Sequence, residues 1–125
     1  MPASEPPNDQ RAAERYEVAL DVDCETEDTF LFASIRNISQ MGIFVRTDQP
    51  LQVGTFVNLR FEARDVPKPF TMRGRVQWVN RVHAFGDNIN PGMGIMFIDM
   101  TRDDRERLVA AIRTIAYLRS DPMTN

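Results

Sequence analysis

From Tyr16 the chain alternates, with Val18, Leu20, Val22 and Cys24 on one side and Glu17, Asp21, Asp23 and Glu25 on the other. A period of two puts one face of a strand on a core and the other in water. The acidic "ETED" then makes a turn, and "TFLFASIRN" pairs back as a second strand. The same pattern recurs in "GIFVRT", "TFVNLRFEA", "FTMRGRVQWVN" and "MGIMFIDM", separated by "DQPLQVG", by the proline-broken "RDVPKP" and by the polar loop "RVHAFGDNINPG". Six short strands at this spacing predict an all-β dominated domain, a closed antiparallel barrel, because closure removes the exposed edges of an open sheet. In the fifth run Phe70, Met72, Gly74, Val76 and Trp78 share one face, and Gly74 is expected to mark a bulge or tight bend.

The chain ends in a different period. In "TRDDRERLVAAIRTIAYLRS", Thr101 and Asp104 form a capping-box-like start, with Asp for the usual Glu, and acidic residues occupy the first turn. Leu108, Ala111, Ile112, Ile115 and Ala116, joined by Leu118 or the stem of Arg119, trace one apolar stripe at helical spacing. A helix over about 102–118 is expected to cover the mouth or side of the barrel. Residues 1–10, rich in Pro, Asn, Asp and Ser, form an expected flexible tail. The domain is expected over 11–119, with a short tail at 120–125.

The chain has 125 residues, 42% of them hydrophobic, which suits one domain able to bury roughly two-thirds of its unfolded surface without metal or disulfide staples. The single cysteine, Cys24, lies in an apolar alternation and reads as a small buried hydrophobe. The N-terminus has no positive n-region, and no run approaches the ~18 apolar residues of a membrane span. A cytoplasmic protein without membrane insertion is expected. A net charge of -3 argues against DNA or other long nucleic acid, whose binding neutralises many phosphates. A small anion needs only two or three arginines.

Enzyme constellations are thin. His83 is the single histidine, and with Cys24 it cannot assemble a metal set. In "DNINPG" Ile89 and Pro91 fall where a calcium loop needs oxygen ligands. Ser39 lacks the Gly-x-Ser-x-Gly context of an activated nucleophile, and no glycine-rich phosphate loop precedes a helix. The sequence therefore reads as a binding module, not an enzyme, with no cofactor or metal.

The residues that stand out for binding are polar. "RNISQMGIFVRT" joins an Asn-Ile-Ser turn, then Gly42, to a strand entering the core, and "RAAER" holds Arg11 and Arg15 where the tail meets the domain. Arginine presents a planar fork suited to phosphate and to the O6/N7 edge of guanine. If the first strand lies beside the strand that follows the turn, these guanidinia hang over Asn37 and Ser39, and the site suits a guanine nucleotide. Structural readings stand beside this one: solvated charges for the arginines, an Asx or Ser turn for Asn37 and Ser39, and a positive-φ position for Gly42.

"R11-A-A-E-R15" followed by "N37-I-S39-Q-M-G42" resembles the paired signatures of the PilZ domain, R-x-x-x-R and [D/N]-x-S-x-x-G. "RYEVALDVDCET", "GRVQWV" and "GMGIMFIDM" before an acidic-start helix are similar to that family's first strand, its Val-x-Trp strand and its closing elements. The resemblance implies a split-barrel of six strands with a C-terminal helix, acting as a receptor for cyclic di-GMP, one or two molecules of it. Arg11 and Arg15 would clamp phosphate and guanine, Asn37 and Ser39 would bond the opposite guanine and its linkage, and Gly42 would give the turn its conformation or clearance. It also implies a protein partner in a motility or polarity apparatus, and a monomer or weak homodimer. The alternative is a ligand-independent adaptor that docks through hydrophobic residues such as Phe85 or Met93, which otherwise read as core or loop anchors.

Overall fold

A computed structural model of the chain describes residues 14–63, 66–81 and 90–119. Its elements are β1 (Tyr16–Glu25), β2 (Phe30–Ile38), β3 (Gly42–Arg46), β4 (Phe56–Phe61), β5 (Phe70–Asn80), β6 (Gly92–Ile98) and α1 (Arg102–Arg119). The strands close into an antiparallel barrel in the order β1-β2-β3-β6-β5-β4. Each strand follows from its alternation: in β4, Val57, Leu59 and Phe61 are buried while Phe56, Asn58 and Arg60 face out. The barrel interior is filled by Val22, Cys24, Ile35, Ile43, Val45, Leu59, Phe70 and Val76, with Met93 and Ile95 from β6. Met93 is completely buried, which removes it as a docking residue. Phe85 and His83 lie outside the described residues.

Helix α1 begins where its capping pattern places it. The Thr101 hydroxyl accepts the Asp104 N–H at 3.0 Å, satisfying one of the donors a helix start leaves unpaired. Its stripe of Leu108, Ala111 and Ile112 is buried in the barrel core, with Ile115 packed at the margin, and α1 lies against β1. No helix among the described residues is long and apolar enough to cross a membrane.

Two local expectations fail, for related reasons. Gly74 sits in regular register, opposite Val57 on one side and Phe97 on the other. A Cβ there would come within 2.5 Å of Ile95 Cγ2 and 3.1 Å of Leu59 Cδ1, so this glycine makes room for core side chains. The irregularity falls between Val76 and Trp78, where Gln77 is the extra residue. One additional residue reverses the alternation. Phe70, Met72, Gly74 and Val76 therefore point inward, but Trp78 is turned outward and stands half exposed.

The second strand pairs back on the first as expected, but the first does not lie beside the strand that follows the turn. β1 pairs with β2 and β4, and not with β3, the strand that follows the Asn-Ile-Ser turn. The pairing with β2 still sets Glu17 opposite Asn37 and Tyr16 opposite Ile38. That brings the residue before β1 to the end of β2.

Candidate ligand-binding site

Arg15 immediately precedes β1, and its side chain runs across to the far end of β2. Its Nε–H donates to Asn37 Oδ1 at 2.7 Å, and Nη1 lies 3.5 Å from Ser39 Oγ. A guanidinium has five donors, so these contacts leave donors for a ligand. Partial burial lowers its pKa from the ordinary guanidinium value, and the group stays cationic at neutral pH. The described ion pairs do not include Arg15. Glu14, its sequence neighbour, instead accepts a 2.7 Å bond from the Tyr16 hydroxyl, an interaction that raises the Tyr16 pKa.

Ser39 is completely buried and builds the turn. Its hydroxyl oxygen accepts the N–H groups of Met41 at 3.0 Å and Gly42 at 3.2 Å, and the Oγ also lies 3.4 Å from the Gly42 carbonyl. The Ser39 N–H donates to the Gly42 carbonyl at 2.9 Å. The Ser-turn reading thus describes this side chain well, with Arg15 resting on the turn that it holds.

Gly42 serves by clearance. The glycine at positive φ among the described residues is Gly54, in the turn before β4. A Cβ on Gly42 would lie 2.2 Å from the Ile95 carbonyl oxygen, so its lack of a side chain lets β3 and β6 pair at normal spacing. Arg11, the other arginine of the expected clamp, lies outside the described residues.

Arg15, Met41, Gly42, Ile43, Gln77, Trp78, Gly94, Ile95 and Met96 line one groove of about 170 Å³. Arginine forms one side, the Trp78 indole the other, and the β3–β6 ladder the floor. A Cβ on Gly94 would strike Trp78 Nε1 at 2.2 Å, so the indole lies directly on a bare stretch of backbone. Its ring also stacks on Phe44 at 5.5 Å and 13°, which buries Phe44 on the outside of the barrel. Cation, flat aromatic face and open backbone together suit a planar, anionic or polar ligand. A larger depression, about 830 Å³, lies beside Glu25, Glu27 and Asp28. Its carboxylates would repel an anion.

Trp78 and Gly94 were not among the site residues read from sequence. Simple alternation places Trp78 inward, and the bulge at Gln77 carries no distinctive residue. A signal for Gly94 exists in "GMGIM", because alternating glycines in a strand mark close approach of another group. Among the described residues no three His, Cys, Asp or Glu side chains are grouped to hold a metal ion.

These features define a small barrel with a polar turn and an arginine at its rim. A family model for the PilZ domain matches residues 9–114. The chain belongs to the PilZ domain family. Similar solved structures include the Bacillus subtilis inhibitor of motility MotI/DgrA, with TM-score 0.68 and 18% identity over 87% of this chain and 52% of that one. The PilZ domain of Escherichia coli YcgR with c-di-GMP matches at TM-score 0.67 and 14% identity, over 90% of this chain and 98% of that domain. YcgR in complex with c-di-GMP matches at 0.67 and 12%, over 91% and 50%. The chain therefore spans about half the length of MotI and of the longer YcgR chain. No curated protein matches it closely enough to count as a relative.

Proposed function

We propose that this chain is a cyclic di-GMP receptor module, not an enzyme, that couples the nucleotide to a protein partner in the cytoplasm. The observation that carries the reading is Arg15 lying across Asn37 and Ser39, beside a groove walled by Trp78. Family membership and the likeness to a YcgR domain solved with c-di-GMP support the choice of nucleotide. The partner is assigned to a motility apparatus because MotI is an inhibitor of motility.

In this reading Arg15 gives a phosphate or guanine its free donors, and Arg11 closes from the tail. Asn37 turns from Arg15 to the base, Ser39 keeps the turn in shape beneath the ligand, and Gly42 keeps the floor flat. Micromolar affinity corresponds to about -8 kcal/mol. Two charge-assisted contacts of about 1.5 to 3 kcal/mol each, with stacking of about 1 to 3 kcal/mol per base, reach that value once ordering costs are met.

Calorimetry with cyclic di-GMP tests the reading. Wild-type protein is expected to bind in the micromolar range, with a stoichiometry that separates one molecule from two. Arg11→Ala with Arg15→Ala is expected to abolish binding, and unchanged affinity in that double variant would refute the clamp. Trp78 is the one tryptophan, so quenching of its emission on titration reports independently on occupancy of the groove. The adaptor reading draws on Arg15 already being bonded within the protein. It requires that wild-type chain show no heat and no quenching, and that partner capture proceed equally with and without nucleotide.

A further inference from the structure

We propose that the first half of β2 is a docking edge, where an extended cationic segment of a partner protein adds to the barrel as a further strand. β2 runs for nine residues but β3 for only five. Their pairing begins at Ser34 opposite Arg46, so Phe30 to Ala33 pair with β1 alone. Beyond Arg46 the chain parts from β2 while Thr47 keeps it beside the residue before β6. The Thr47 N–H donates to the Pro91 carbonyl at 3.2 Å, and its hydroxyl accepts the Gln49 N–H at 3.0 Å. The space this opens is a depression of about 420 Å³ bounded by Leu31, Phe32, Arg46, Thr47, Asp48 and Gln49.

An unpaired edge offers a row of backbone donors and acceptors to any extended chain. Soluble proteins guard such edges with lysine, proline or a bulge. Here the edge reads Phe-Leu-Phe-Ala, with none of these. Phe30 is 55% and Phe32 74% exposed, and the two rings meet edge to face at 4.9 Å. They form an apolar stripe on the outer face, beside the groove that an added strand would occupy.

Charge decides the occupant. Residues 16–35 contain six carboxylates and no Lys or Arg. Asp23 stands opposite Phe32 and Glu25 opposite Phe30 on β1, with Glu27 and Asp28 in the connecting turn. Among the described residues Asp21, Asp23, Glu25, Glu27 and Asp28 enter no ion pair, since Arg60, the cation across from Asp23, bonds Glu62 at 3.7 Å. At the rim Arg46 and Asp48 offset each other. A strand beside β2 would lie about 10 Å from the β1 acids, within reach of lysine or arginine side chains passing over the phenylalanines. A second copy of this chain would bring six more carboxylates instead, so a basic segment with alternating apolar residues fits better.

The docking edge lies at the start of β2, whereas Asn37, which holds Arg15 of the nucleotide groove, lies near its end, roughly 20 Å away by strand rise. Occupation of one leaves the other accessible.

A nitrogen-15 NMR titration of the full chain tests the edge, using the peptide Lys-Val-Lys-Phe-Lys-Val-Lys. Two controls accompany it, one with glutamate for every lysine and one N-methylated at alternate backbone amides. Expected are shifts confined to residues 30–34 and 46–49, no binding of either control, and affinity lowered about tenfold in Phe32→Lys, whose exposed position leaves the thermal melt unchanged. Shifts centred elsewhere, equal binding of the methylated peptide, or no binding at about 1 mM, where even a weak -4 kcal/mol contact registers, would overturn the proposal. So would a dimer in sedimentation equilibrium that Phe32→Lys dissociates, because a second copy would then own the edge.

Discussion

The two ends of β2 differ in partners and exposure. At its C-terminal end Asn37 and Ser39 are tied to Arg15 and to the backbone of the following turn, and β3 closes the ladder alongside. At its N-terminal end Phe30 and Phe32 project into solvent with one neighbouring strand. An extra residue at Arg36 reverses the alternation between the two ends. The ends differ also in cover, because β3 stops four residues too soon to pair with the whole of β2. A strand's chemistry is thus set partly by where its neighbour stops: the covered end becomes a rigid holder of polar groups and the uncovered end keeps its backbone available.

That contrast can be broken by substitution. The largest effect is expected from Gly42→Ala. The added carbon meets the Ile95 carbonyl oxygen, backbone that cannot move aside cheaply, and unfolding in urea should show a loss of about 3 kcal/mol. Ser39→Ala comes next. It removes the acceptor of two backbone N–H groups at a buried turn, and a loss of about 2 kcal/mol is expected in the same assay. Arg15→Ala should change stability by less than about 1 kcal/mol, since its bond to Asn37 is exposed, while weakening nucleotide binding by about tenfold or more. Smallest is Phe32→Lys, within about 0.5 kcal/mol of wild type. A Ser39→Ala protein as stable as Phe32→Lys would erase the distinction between the two ends.

Much of this architecture was legible in the sequence because it rests on periods. Tyr16 to Glu25 and Phe56 to Phe61 alternate cleanly, and the stripe from Leu108 to Ile112 repeats at helical spacing, so burial could be assigned residue by residue. The proximity of Arg15 to Asn37 and Ser39 was also legible, although through the wrong neighbour, as β1 pairs with β2 and not β3. Strand order is a long-range property that local pattern does not encode. Gln77 was invisible for a similar reason. A bulge is a mismatch between two strands, so it leaves no mark on either one read alone, and the outward turn of Trp78 went with it. Gly74 and Gly42 were recognised as special, but the reason lay in atoms of β4 and β6. Their partners Ile95 and Leu59 are distant in sequence.

Cys24 carries a practical consequence. Burial, aided by nearby Asp23, pushes its thiol up from an ordinary 9.0 to about 12. At pH 8 only about one molecule in ten thousand then presents the thiolate that reacts with labelling reagents. The folded value exceeds the unfolded one, so the thiol's contribution to stability is whole below pH 9 and fades as pH climbs towards 12. In neutral solution, dye capture at this lone sulfur becomes a clock for the opening of the barrel, each modified molecule recording one excursion from the closed form.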